Sequence, residues 1–144
     1  MNYLPDTHVL IFFGCGYEDK IGRKAFEILK NINSKLAVSQ ISFWEMAIKI
    51  NIGKLEIPIG LKNIIKLTRT AGMEIVPVRN SHILYYQSLE THPDHKDPFD
   101  RFIISTAICE NMQILSGDPK FDLYADIVFK IIFLGFPVVS CRLG

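Results

Sequence analysis

The chain has 144 residues, 49% of them hydrophobic, enough for one domain with a real core and too few for two ordinary ones. Sixteen basic and fifteen acidic residues leave a formal charge of +1, so no overall field draws the chain to nucleic acid, a membrane surface or an acidic substrate; any polyanion binding has to be local. Cys15, Cys109 and Cys141 are odd in number and lack the short paired spacings of a zinc site or redox motif, which suits a reducing cytoplasm. The start, MNYLPDTH, has no basic run followed by an apolar core and is not expected to be a signal peptide. The apolar stretch 131–139 contains Gly135 and Pro137 and falls far short of the roughly 20 residues of a membrane-spanning helix.

Helical and strand-like patterns alternate along the chain without repeats, low-complexity segments or a linker, which predicts an α/β fold with a parallel sheet. A strand at 3–6 leads into a short apolar helix at 7–13, which Gly14 can end because it tolerates positive φ. A second helix carries an apolar stripe of Ile21, Ala25, Ile28, Leu29 and Ile32, and KLAVS (35–39) reads as strand two. Ser39 or Ser42 can cap the next helix, whose apolar side carries Trp44, Ile48 and Ile52 and which Gly53 closes. A helix at 61–71 ends at Gly72, and 74–78 is a third strand in which Pro77 indicates an edge or an end. Residues 80–89 are helical, 91–97 form a polar loop, and Pro98 opens a strong helix over 99–110. A fourth strand at 113–116, a short helix started by Pro119 and a final strand at 126–133 complete the pattern.

Four acids occupy comparable places in this scheme. Asp6 closes strand one, Glu45 lies in the helix after strand two, Asp100 begins a helix, and Asp118 follows strand four. In open parallel sheets the ligand crevice lies beyond the carboxyl ends of the strands, where residues distant in sequence converge. Carboxylates packed together repel and shift upward in pKa unless a cation neutralises them. Mg²⁺ or Mn²⁺ suits such oxygen ligands, and metal pairs about 3.5–4 Å apart support phosphodiester cleavage. Each acid also has a capping alternative: Asp6 before the helix at Thr7, Glu45 in a capping box with Ser42, Asp97 as N-cap with Pro98 and Asp100 inside the first turn, and Asp118 before Pro119. Spacing alone leaves both readings open.

The segments LPDTHVLIF, VSQISFWEMAIKINIGKLEIP, HKDPFDRFIISTA and LSGD, in this order and spacing, resemble the PIN-domain family, particularly VapC-type toxins of bacterial toxin–antitoxin pairs, over about residues 2–130. The resemblance implies a single PIN-like domain at 1–133, with a central parallel sheet of about four or five strands flanked by helices. It implies a metal-dependent endoribonuclease, with Asp6, Glu45, Asp100 and Asp118 as catalytic and metal-binding acids. Thr7 then matches a hydroxyl that orients the first carboxylate, Ser116 one near the last, and Asp97 is a supporting cap. Mg²⁺ or Mn²⁺, an RNA substrate, a cognate antitoxin and a homodimer follow from the same resemblance, while the cysteine pattern and the short apolar stretch lead to the expectation of a cytoplasmic protein with no membrane. Pro5 departs from the family's aliphatic strand residue, and residues 134–144 continue beyond its usual end with no role the sequence assigns.

Lys49, Lys54, Lys96 and Arg101 flank the acids and are candidates for RNA phosphate contact, against the alternative that they solvate the surface or, for Lys49, pair with Glu45 along the helix. His92 and His95 flank a proline in a loop, which disfavours a shared metal; His95 is expected to shape the loop or touch substrate. Cys109 and Trp44 follow apolar helical spacing and are expected in the core. Two further classes remain: a PIN-fold binding module without catalysis, which the presence of all four acids disfavours, and a phosphoryl-transfer domain, which the lack of a second Asp in DTHV disfavours.

Overall fold

The computed structural model describes residues 2–124 and the backbone of Ile131–Phe133. Strands β1 (Asn2–Pro5), β2 (Lys35–Ser39), β3 (Glu74–Val76), β4 (Gln113–Ser116) and β5 (Ile131–Phe133) form one parallel sheet in the order β3-β2-β1-β4-β5. The helices are α1 (Thr7–Gly14), α2 (Arg23–Lys30), α3 (Gln40–Asn51), α4 (Leu61–Thr70), α5 (Asn80–Ser88) and α6 (Pro98–Cys109). Single 3₁₀ turns lie at Glu18–Lys20 and Pro119–Tyr124.

Alternation along the strands divides the interior between two faces. Val38 and Leu115 turn to one face, joining Val9 and Leu10 of α1, Met46 of α3 and Ile64 of α4. Leu4, Ala37, Val76 and Ile114 turn to the other, against Ile103, Ile104 and Ala107 of α6 and Phe121 beyond β4. Burial on both sides explains the near-continuous apolar runs of the central strands. From β1 the chain winds outward through β2 to β3, then returns across the sheet to place β4 on the other side of β1. The reversal makes the carboxyl ends of β1 and β4 the switch point of the sheet, the position in which open α/β sheets hold ligands.

Pro5 fits the central strand because the β1–β2 register runs through Tyr3 and Leu36, while the next amide, that of Asp6, donates to Leu115 O at 3.0 Å. Pro77 follows an edge strand, as its missing N–H suggests. Three helices carry side-chain caps: Asp6 accepts from Val9 N (2.8 Å), Ser39 from Ile41 N (3.3 Å), and Asp97 from Phe99 N (2.8 Å) and Asp100 N (3.3 Å).

Several local expectations are corrected. Gly14 does not end α1 through positive φ; it is the helix's last residue, and a Cβ there would come within 2.6 Å of Ile64 Cδ1, so any side chain at this position would have to displace the tip of Ile64 on α4. The positive-φ glycine of that turn is Gly16. Ile32 lies past the end of α2 and is 96% exposed. Because Ser39 caps α3, Ser42 and Glu45 form no capping box and both are buried within the helix. Trp44 is 60% exposed and meets Phe99 edge-on at 5.7 Å, and Ile52 is also exposed. Cys109 ends α6 on the surface, donating to Ser81 O. Of the final strand, Ile131–Phe133 is described; residues 126–130 of the predicted strand and the extension 134–144 lie outside the described residues.

Asp97 contributes the capping acceptor of α6, so Asp97→Ala is expected to lower unfolding free energy by about 1 kcal/mol in urea titration, and Asp97→Ser to restore most of it. Equal stability of wild type and Asp97→Ala would remove the capping role.

Candidate active site

Asp6 is the first residue past β1 and is almost fully buried. One carboxylate oxygen, Oδ1, caps α1 through Val9 N, and the other, Oδ2, accepts a 2.5 Å hydrogen bond from Ser116 Oγ at the end of β4. Ser116 Oγ in turn accepts from Asp118 N at 3.0 Å, so one hydroxyl joins the first and last acids of the predicted set. Asp118 itself is half-buried, and its Oδ1 accepts from Lys120 N at 2.9 Å, capping the 3₁₀ turn that follows. The hydroxyl on Asp6 is therefore that of Ser116. Thr7 is placed differently from the expectation: its Oγ1 donates to Ser42 Oγ at 3.0 Å and ties α1 to α3.

Glu45 is buried at mid-helix in α3, where Lys49, one turn on, reaches its Oε2 at 2.8 Å. Its other oxygen, Oε1, is buried with no hydrogen-bond partner. An unpaired buried carboxylate oxygen is costly, and a cation is the simplest group that satisfies it. Asp100, in the first turn of α6, accepts from His95 Nε2 at 3.1 Å. Asp97 is spent on capping, which leaves Asp100 as the acid of DPFD that faces the interior.

The acids respond to one another. Burial pushes Asp6 from the ordinary 3.8 to about 6; His8, the Ser116 and Val9 hydrogen bonds pull it down, and Asp100 raises it. Burial likewise raises Asp100, opposed by its bond to His95, while Asp97 and Glu45 raise it further. Asp6, Asp100 and Glu45 thus lie within electrostatic reach across α1, α6 and α3. No three His, Cys, Asp or Glu among the described residues are gathered into a ready-made metal cage. The donor set still fits a hard divalent ion, since Mg²⁺ takes one or two carboxylates and keeps several waters. Hard oxygens, desolvated acids and the orphaned Glu45 Oε1 are what such a site requires.

The cations separate into two kinds. Lys54 and Lys96 are exposed, and Lys49 is turned onto Glu45. Arg101 is corrected as a phosphate contact: it is 6% exposed, and its guanidinium is held by Leu89 O, Glu90 O and Tyr124 OH. His8, Ser42 and Tyr124 are the site neighbours that sequence reasoning missed. His8 was visible in DTH, whereas Tyr124, 24 positions beyond Asp100, carries no local signal.

The chain belongs to the PIN domain family, whose model matches residues 3–127. Among solved structures it is similar to VapBC2 from Rickettsia felis, bound to a DNA fragment from its promoter (TM-score 0.66, 20% identity, 89% of this chain and 96% of that one). It is similar also to VapBC-5, a toxin–antitoxin system from Mycobacterium tuberculosis (TM-score 0.61, 17% identity, 92% and 98%), and to VapBC-1 from nontypeable Haemophilus influenzae (TM-score 0.58, 19% identity, 88% and 95%). No curated protein matches the chain significantly. At these identities the neighbours establish the fold. Among the described residues, no helix is long and apolar enough to cross a membrane.

The raised Asp6 sets a pH dependence. Between about pH 4 and pH 6 the folded protein keeps a proton on Asp6 that the unfolded chain releases, so stability falls as pH rises through that window, and the loss is complete above it. In divalent-free buffer, Asp6→Asn is therefore expected to melt higher than wild type at neutral pH, the difference shrinking toward pH 4. A wild type more stable than Asp6→Asn at neutral pH without metal would contradict this.

Proposed function

We propose that the protein is an Mg²⁺- or Mn²⁺-dependent endoribonuclease, the toxin of a VapBC-type pair, with Asp6, Glu45 and Asp100 holding the cation and Asp118 at the rim. The observation that carries this reading is that the buried acids Asp6, at the start of α1, Glu45 of α3 and Asp100 of α6 lie within electrostatic reach of one another, one of them with an unsatisfied oxygen. Membership of the PIN family supports nuclease chemistry in general, and the VapBC neighbours support the toxin assignment.

When bound, the cation would neutralise phosphodiester charge and activate water for hydrolysis. The chain's own residues prepare that site. Ser116 and the amide of Val9 hold Asp6 at the end of β1, and Lys49 fixes one oxygen of Glu45 so that the other points to the interior. Lys54 and Lys96, exposed beside the acidic segments, are suited to contact RNA phosphates. A cognate antitoxin and a second copy of the chain complete the proposed assembly. A reducing cytoplasm suits the free thiols of Cys15 and Cys109.

The alternative is a catalytically silent PIN-fold module that binds RNA or protein without metal-dependent cleavage. Incubation of antitoxin-free protein with a mixed RNA pool under Mg²⁺, Mn²⁺ or EDTA separates the two. Metal-dependent cleavage is expected, reduced at least about 100-fold in folded Asp6→Asn and Asp100→Asn, the scale of losing an essential electrostatic group. RNA binding without cleavage under either metal would favour the module.

A further inference from the structure

Behind Asp100 runs a row of buried polar groups that holding a cation does not by itself require. Arg101 Nη1 lies 2.9 Å from Tyr124 OH and 2.9 Å from Glu90 O, and its Nη2 lies 3.3 Å from Leu89 O. The guanidinium also lies over Tyr86, 5.3 Å from the ring centre. Tyr124 OH is 3.1 Å from His95 Nδ1, and His95 Nε2 is 3.1 Å from Asp100 Oδ2. His95 and Tyr124 are each about 1% exposed.

One assignment of donors and acceptors runs through the whole row. A guanidinium only donates, so Arg101 occupies a lone pair of the Tyr124 hydroxyl. That hydroxyl has one proton, and His95 Nδ1 is the acceptor on its other side. A neutral imidazole that accepts at Nδ1 carries its hydrogen on Nε2, which then faces Asp100 Oδ2 as a donor. Burial raises the Tyr124 phenol above its ordinary range, so it keeps the proton it has to give. The His95 ring is also held sterically, 5.6 Å from the Phe121 ring and 5.4 Å from that of Tyr124.

We propose that Arg101, Tyr124 and His95 form a positioning relay that fixes the rotamer of Asp100, committing Oδ2 to His95 and leaving Oδ1 to the cation. The inference rests on the metal-nuclease reading above and deepens it. It explains why an arginine beside the acidic motif is turned inward, and it assigns Tyr124, on the turn after Asp118, a part in ordering an acid on another element. Loss of such outer partners costs about 10–100-fold in metal affinity in other sites.

The test compares full-length wild type with His95→Ala, His95→Asn and His95→Gln, reading Mn²⁺ affinity by electron paramagnetic resonance and folding by thermal melting. A glutamine amide reaches the place of Nε2 and can still donate to Asp100; an asparagine amide reaches only that of Nδ1. The relay predicts a loss of about tenfold or more in Mn²⁺ affinity for the alanine and asparagine variants and recovery to within about threefold for glutamine. ¹⁵N-resolved imidazole spectra of the wild type should show the neutral Nε2–H tautomer. Equal Mn²⁺ affinity in all four proteins, equal loss in the asparagine and glutamine variants, or an Nδ1–H tautomer would overturn the relay while leaving the metal site standing. A wild type that binds no Mn²⁺ would remove the metal reading and the relay together.

Discussion

The hydrogen bond from Ser116 to Asp6 joins the two strands at which the chain reverses direction across the sheet, and the candidate site is built around it. It places a carboxylate in an environment with little water, where desolvation outweighs the hydrogen bonds and His8 that favour the charged form. The result is an acid raised to about 6 where the ends of β1 and β4 meet. Such a group weakens the metal-free fold at neutral pH, and it is an arrangement that a bound cation would stabilise.

Capping and chemistry are shared out among the acids. Asp6 serves both, with Oδ1 on the start of α1 and Oδ2 on Ser116. Around α6 the two tasks fall to different residues: Asp97 takes the exposed amides of the first turn, which frees Asp100 to face inward. Glu45 has no capping duty at all. Its burial at mid-helix beside Lys49 leaves Oε2 paired and Oε1 without a hydrogen-bond partner.

The positive charges have a matching division. Lys49 and Arg101 act inside, the first on Glu45 and the second on a tyrosine and two backbone carbonyls, so neither is available to steer a polyanion. Lys54 and Lys96 remain at the surface. With a net charge of +1 for the whole chain, attraction of RNA would rest on such local groups.

The sequence by itself determined the order and type of the elements, because apolar periodicity and the turn chemistry of Gly72, Asp97 and Pro98 are local properties. It also offered four acids as candidates for one edge of the sheet while leaving each a capping alternative, and through its motifs it pointed to the family. Tertiary structure decided what spacing could not. Gly14 ends α1 without a positive φ, beside Ile64 of α4. Arg101 turns inward because Tyr124 and the carbonyls of Leu89 and Glu90 surround it, and Trp44 is exposed because α3 turns that side away from both cores. These outcomes depend on contacts between residues far apart in the chain, and no local pattern encodes which partner arrives.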